Sequence, residues 1–408
     1  MLKIKVAKEK IFLYLLGLTI LIDYMNGLFQ GFHIGEVYRS ILLIYCGCII
    51  LSNKKEACRF LLILSFLFIN TFVSILFDES QSTLKINVTM GLKTILFYTV
   101  STAIILLYKK GIFQRETIDK IIRISLIYTP ILFALSSVMG NGGAGYIWNG
   151  VALGTKAKFL SLNSINSALI AIFIYCVYHF FSERKMVWIL CSVYIAIPML
   201  ALGTKTSLAA IIILPVFFAI LRITNRQTVK MIILLSIFLI IIIPIIWPYF
   251  TSKMAGVLDR QKYLFEHRSL WSYLTSTRSE RVAIIWNYYV QHYSIVDIFP
   301  GRGYHYFHHI ISNLMGYTSD VIPIEMDWMD ILTSYGIWGF AYTYIYALKP
   351  IFKYQKIHKS NNCKMYRCII IVMVAYGSFA GHVFMEAISS TFLALCFCGF
   401  RLSIKEKN

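Results

Sequence analysis

The sequence predicts an all-α fold, a polytopic integral membrane helical bundle of about twelve transmembrane helices with one large loop that holds short amphipathic helices. Three observations lead there. Hydrophobic residues fill 58% of the 408 positions and charged residues only 14%, far from the balance of a soluble domain. Apolar runs close to the roughly 20 residues that cross a hydrocarbon core recur along the whole chain. They are too continuously apolar for the alternation of an outer-membrane barrel strand, so their backbone amides have to be satisfied within helices.

In order, the runs lie near residues 11–30, 37–52, 60–77, 90–108, 121–139, 164–181, 186–203, 207–221, 231–250, 326–348, 368–386 and 388–404. The second, eighth and last are the shortest. The first ends in Asn26-Gly27-Leu28-Phe29-Gln30 without a small-residue cleavage pattern, which marks a retained helix rather than a removed signal peptide. Residues 1–408 then form a single transmembrane domain, interrupted by a large polar loop at 251–325.

A net charge of +20 would suggest nucleic acid as the partner of a soluble protein, so the placement of the 39 Lys and Arg residues decides its meaning. With the N-terminus in the cytoplasm, segments 1–10, 52–59, 109–120, 182–185, 222–230, 349–367 and 401–408 become cytoplasmic. They carry about 25 of these residues, against about 13 in the opposite loops, of which about seven fall in 251–325. Long segments cross a membrane with little regard to charge. Both termini are therefore expected in the cytoplasm and the long loop outside, and the basicity is topological rather than a sign of nucleic-acid binding. The nine cysteines lie in predicted spans or cytoplasmic loops, with no Cys-x-x-Cys pair or ligand-spaced His cluster. No metal and no cofactor is expected.

Within the polar loop, Thr277-Arg278-Ser279-Glu280 has capping-box spacing, and Val282, Ile285, Trp286, Tyr289 and Val290 follow at helical intervals. An amphipathic surface helix there places Arg278 and Arg281 one turn apart, close enough to grip one phosphate or diphosphate, or simply to face lipid headgroups. Gly301-Arg302-Gly303 forms an open turn ahead of Tyr304, Tyr306 and Phe307, rings that suit either a sugar face or an interfacial aromatic belt. Glu325, Asp327 and Asp330 stand where the loop meets the tenth run. Carboxylates at such a boundary line a wet cavity or pair with cations. These either orient and deprotonate an acceptor hydroxyl or latch the loop to the bundle. His267, His292, His305, His308 and His309 share the loop, and each is a candidate base.

A smaller outer loop, 140–163, ends in Lys156-Ala157-Lys158-Phe159-Leu160-Ser161-Leu162-Asn163. Lys156 and Lys158 there, and Lys205 in the outward turn Gly203-Thr204-Lys205-Thr206, defy the positive-inside bias and are candidates for an anionic headgroup. The pentapeptide Ala-Leu-Gly-Thr-Lys occurs at 152–156 and 201–205 without a wider repeat around it, so the match reads as coincidence, and neither copy is a P-loop. Asp23, Lys93, Arg123, His382 and Glu386 are ionisable groups in or near spans. A carrier would place such groups on broken helices related by repeats; these scatter without symmetry, with His382 and Glu386, one turn apart, as the exception.

Taken in order, several short motifs form a set: Lys158-Phe159-x-x-x-Asn163 ahead of a span, Leu202-Gly203-Thr204-Lys205-Thr206-Ser207 at a tight turn, and Arg281 to Trp286 followed by Gly301-x-Gly303. The set closes with Glu325-x-Asp327-x-x-Asp330-Ile331-Leu332-x-x-Tyr335-Gly336-Ile337-x-Gly339. With one large outer loop before the tenth span, the chain resembles the O-antigen polymerase and ligase superfamily. Ligase members typically carry a histidine where Glu325 and Asp327 stand, so the resemblance favours the polymerase branch, called Wzy.

The resemblance implies a multi-pass glycosyltransferase of the bacterial inner (cytoplasmic) membrane. It would move a growing glycan from undecaprenyl diphosphate to a lipid-linked repeat unit on the periplasmic face, with membrane lipids and a chain-length regulator protein as further partners. Arg278 and Arg281, with Lys156, Lys158 and Arg302, would stabilise the leaving diphosphate. Glu325, Asp327 or a loop histidine such as His305 would be the base. Asn163, Lys205, Tyr304 and Asp330 would help to hold substrate. The family's arginines ahead of the sixth span are lysines here, a point charge in place of a fork. An O-antigen ligase acting on lipid A core, or a non-enzymatic flippase, are the alternatives.

Overall fold

The computed structural model describes residues 2–77, 81–140, 142–148, 150–222, 255–316, 321–354 and 361–405. Helices α1 (Leu2–Gly17), α2 (Thr19–Leu28), α3 (Ile34–Leu51), α4 (Lys54–Phe77), α5 (Gln81–Lys109) and α6 (Arg115–Val138) come first. A two-stranded hairpin follows, β1 (Ala144–Trp148) and β2 (Val151–Thr155), then α7 (Leu162–Glu183), α8 (Met186–Leu202) and α9 (Lys205–Arg222). After these come α10 (255–267), α11 (Leu270–Leu274), α12 (Arg278–His292), α13 (Ile295–Ile298) and α14 (Tyr304–Leu314). The chain closes with α15 (Asp327–Phe340), a π-turn at Ala341–Ile345, α16 (Tyr346–Lys353), α17 (Asn361–Phe379) and α18 (Ala387–Lys405).

The protein is thus largely helical, with several long apolar helices of membrane-spanning character and a region of short helices between α9 and α15. Among the described residues six helices are long and apolar enough to cross a membrane, namely α3, α4, α5, α6, α7 and α18, or seven if α1 and α2 make one broken span. The expected number of about twelve is not reached among them. Helices α8 and α9 are apolar but shorter, and the run at 231–250 lies outside the described residues. The run at 326–348 is interrupted at Gly336 and again by the π-turn, while that at 368–386 ends as a helix at Phe379. Hydropathy alone does not see such breaks, because buried loops are as apolar as the helices they interrupt.

The hairpin is a second departure from an all-α chain. Trp148 pairs directly with Val151 across its turn, where Gly150 has φ 78°. The sequence there is Asn-Gly between two short β-favouring segments, the strongest local hairpin signal.

The chain divides into two units. In the unit formed by Ile20–His33 and Ile122–Leu270, α7 is buried along its length and packs on α8 and α9. Asn166 on α7 donates to the hydroxyls of Thr204 and Thr206 at 2.9 Å each and accepts from Ser207, which pins the turn before α9. The two Ala-Leu-Gly-Thr-Lys copies meet here. Gly154 has φ +63°, and a Cβ on it would strike the Leu202 carbonyl, while one on Gly203 would lie 3.5 Å from the Gly154 Cα. Gly154 is the glycine that admits the Leu202 backbone.

The other unit comprises Met1–Thr19, Ile34–Ile121 and Trp271–Asn408. Helix α5 packs against α3, α4 and α18, and α18 against α17. Phe97 fixes the centre of this packing edge-on to Tyr346, Phe384 and Phe397, with ring centroids 5.5–5.7 Å apart. A second core joins the short helices to the start of α15 through Ile285, Tyr289, Tyr293, Phe307, Ile311, Ile324, Met326 and Met329. Of the apolar stripe read on α12, Ile285 and Tyr289 are buried, whereas Trp286 and Val290 are exposed.

The break inside α15 decides how the short helices dock. Gly336 has φ 63° and ψ −163°, a region open essentially to glycine alone, and the freed Ser334 carbonyl accepts from the Gly303 amide at 3.0 Å and from Asn70 Nδ2 at 2.8 Å. Asn70 also donates to the Pro300 carbonyl at 2.6 Å, so one side chain of α4 ties the 300–303 turn to the break. A Cβ on Gly336 would run into the carbonyls of Ile298 and Phe299, and one on Gly301 into Ser334. Gly336→Ala is expected to cost about 2–4 kcal/mol, read as a thermal midpoint several degrees lower in detergent. Gly111→Ala, at φ +64° but with nothing near its Cβ position, should lower it much less.

Candidate functional site

The first turn of α15 carries Asp327 and Asp330, both with no solvent exposure. A helix N-terminus favours carboxylates, yet each side chain also works at a distance. Asp327 Oδ2 accepts the amides of Val383 and Phe384 at 2.6 and 2.8 Å, and its Oδ1 lies 3.0 Å from His382 Nδ1. Gly377 on α17 makes room for this, because a Cβ there would stand 2.6 Å from Asp327 Oδ2. Asp330 folds back on its own N-terminus, accepting from Ile324 N at 3.1 Å and Met326 N at 3.2 Å.

Asp330 also meets His308 Nε2 at 2.6 Å, while His308 Nδ1 faces the Tyr304 carbonyl at 2.7 Å. Both nitrogens of that ring therefore face oxygen atoms. His382 Nδ1 is 3.8 Å from Asp330 Oδ2, which joins the two pairs into one chain, His308, Asp330, His382, Asp327. The far nitrogen of His382, Nε2, is buried and has no hydrogen-bond partner among the described residues. Four residues on, Glu386 stands 4.0 Å from Lys93 on α5.

Arg278 and Arg281 stand one turn apart on α12 and both reach the strand of chain just ahead of α15. Arg278 grips Glu325 through Nε at 3.1 Å and Nη2 at 2.5 Å, and Arg281 donates to the Pro323 carbonyl at 3.2 Å. Glu325 is held at φ 65°, an uncommon conformation for a non-glycine residue and a mark of local constraint. The capping box expected at Thr277–Glu280 does not form. Thr277 is left-handed at φ 69° without a side-chain cap, and Glu280 bonds instead to Ser272. A capping box occurs one helix later, between Ser294 and Asp297.

Arg302 is occupied by its surroundings: it bonds Asp297 at 2.8 Å and the His292 carbonyl at 3.0 Å, and lies over the Tyr293 ring at 4.6 Å. The hydrogen bond from Arg302 is the main reason the Asp297 carboxyl is lowered to about 2. His305 is buried, with its Nδ1 3.3 Å from the Thr83 hydroxyl and its amide donating to Asn87. Tyr304 stacks on His308, centroids 3.8 Å apart.

Of the residues singled out from sequence, Arg278, Arg281, Glu325, Asp327, Asp330, Tyr304, Arg302 and His305 lie in the unit that contains α15. Lys156, Lys158, Asn163 and Lys205 belong to the other unit, where Lys156 Nζ donates to the Leu160 carbonyl at 2.9 Å. Sequence spacing does not join His382 and His308 to the carboxylates. The one usable signal is an ionisable residue beside Gly381 at the edge of an apolar run. Among the described residues no three His, Cys, Asp or Glu side chains are grouped to hold a metal ion. Comparison with known proteins finds no matching family model, no matching characterised relative and no matching solved structure.

The Asp297–Arg302 pair generates a stability prediction with a definite sign. A carboxyl lowered to about 2 when folded, against about 3.9 unfolded, contributes stability that is complete above the unfolded value and disappears as pH falls through the folded one. Asp297→Asn is therefore expected to lower the thermal midpoint by an amount that is constant from pH 8 to about 5 and shrinks below about 4.

Proposed function

We propose that this chain is a glycan polymerase of a bacterial inner membrane, which transfers a growing saccharide from a polyprenyl diphosphate to a lipid-linked repeat unit. The observation that carries the reading is the buried cluster of carboxylates and imidazoles at the start of α15, to which the polar segment contributes His308 and whose Asp327 lies two residues beyond Glu325 of the Arg278–Glu325 pair in the chain. Buried carboxylates are costly unless they serve a site or a fold-specific contact. Acceptor activation needs a proton acceptor, and departure of a lipid diphosphate needs cations.

In this reading the segment 251–325 faces the periplasm and both termini the cytoplasm, as the charge distribution implies. Arg281, with Arg278 released from Glu325 or acting beside it, meets the diphosphate, and Asp327 belongs to the proton-accepting side. Lys156, Lys158 and Lys205 are proposed to hold anionic lipid headgroups within their own unit. Membrane lipids and a chain-length regulator are the partners that follow. A second reading, a lipid-linked saccharide carrier, is favoured by one feature, the interruption of α15 at Gly336 near titratable groups, since carriers bind cargo at broken helices.

The ladder of lipopolysaccharide from a strain lacking the gene separates these readings. A polymerase leaves lipid A core bearing at most one repeat unit, restored to a full ladder by the wild-type gene but reduced at least tenfold with Arg281→Ala, Arg278→Ala or Glu325→Gln at equal expression. Polymer retained on the carrier lipid would mean a ligase. Repeat units stranded on the cytoplasmic leaflet would mean a carrier.

A further inference from the structure

We propose that His382 is the catalytic proton acceptor and Asp327 its positioning residue, the pair acting on a sugar hydroxyl of the acceptor glycan. This rests on the polymerase reading and names the base that the reading requires. The loop histidines differ from His382 in how their ring nitrogens are occupied. His308 has both committed, to Asp330 and to the Tyr304 carbonyl. His267 and His292 are exposed and bond the carbonyl four residues back in their own helices. His305 is tied to Thr83. His382 alone among these has a carboxylate on Nδ1 and, on the opposite edge, a nitrogen with no partner among the described residues, in a side chain only 7% exposed. A buried polar atom left without a partner is destabilising, a penalty that a substrate oxygen would remove.

Asp327 is set up to orient the ring rather than to react. Its Oδ2 is filled by two backbone amides and its Oδ1 by Nδ1, so it fixes the tautomer that leaves the Nε2 lone pair unoccupied, and it stabilises the imidazolium once formed. The step balances without a further reactant. The hydroxyl proton passes to Nε2 as its oxygen bonds the donor's anomeric carbon. The bond from that carbon to the diphosphate oxygen breaks, and its electron pair leaves on the diphosphate. Asp327, Asp330 and Glu386 are the charged groups facing the ring. The rate should rise with pH along a limb set by loss of the second ring proton.

The test uses the full chain in liposomes with a polyprenyl-diphosphate-linked repeat unit, together with nitrogen-15 spectra of histidine-labelled protein. His382→Gln is expected to lower kcat about 100-fold or more, with KM little changed, and to abolish the ascending pH limb. Added imidazole should restore part of the activity of His382→Ala. Asp327→Asn should lose activity and shift the His382 proton to Nε2. An unchanged kcat or an unchanged pH limb in His382→Gln overturns the assignment. Wild-type protein that elongates nothing sinks the polymerase reading instead, and the spectrum then judges the pair by itself. A neutral wild-type ring protonated on Nδ1 upholds the pair, and one protonated on Nε2 overturns it. The wild-type spectrum and pH profile decide equally if the variants do not fold.

Discussion

Asp327 accepts the amide hydrogens of Val383 and Phe384 where the chain between α17 and α18 is not helical and is largely buried. A backbone that leaves a helix in a water-poor interior has to find partners for its polar groups. The unit containing α15 meets this demand with single side chains. Asp327 supplies an acceptor for the 383–384 amides, and Asn70 supplies donors for the Ser334 and Pro300 carbonyls at the break in α15. Without Asp327 the loop carrying His382 would have two unsatisfied donors. Without Asn70 and the glycines around it the 300–303 turn would have no seat.

The same economy places charge. Asp327 is at once a structural acceptor and the partner of His382, so a ring held by it cannot drift without breaking the loop that holds the ring. Asp330 does the equivalent for His308 through the Ile324 and Met326 amides. Arg278 and Arg281 then clamp the residues 323–325 that lead into these carboxylates, which ties α12 to the start of α15. Geometry of this kind suits proton transfer, in which a small displacement of the accepting atom is costly.

Much of this arrangement is legible in the amino-acid sequence. The long apolar runs, the amphipathic α12, the open turn at Gly301 and Gly303, and the crowding of ionisable groups at 325–330 all follow from spacing and residue chemistry. The breaks do not, because hydropathy registers apolar residues whether or not their backbone is helical. The partner of Asp327 lies 55 positions away on a different helix connection, a separation that a single sequence does not encode. The Thr277 capping box fails for a related reason: its local spacing is right, but Ser272 competes for Glu280 and the chain enters α12 through a left-handed turn. The hairpin, by contrast, is announced by Asn149-Gly150.

The central claim is that the buried edge of His382 is completed by substrate. A structure of the protein with a polyprenyl-diphosphate-linked oligosaccharide bound tests it most directly. A sugar hydroxyl within hydrogen-bond distance of His382 Nε2, about 2.6–3.2 Å, with the diphosphate toward Arg281, is the result expected. Saccharide bound elsewhere, with Nε2 satisfied by another part of the chain, would contradict it.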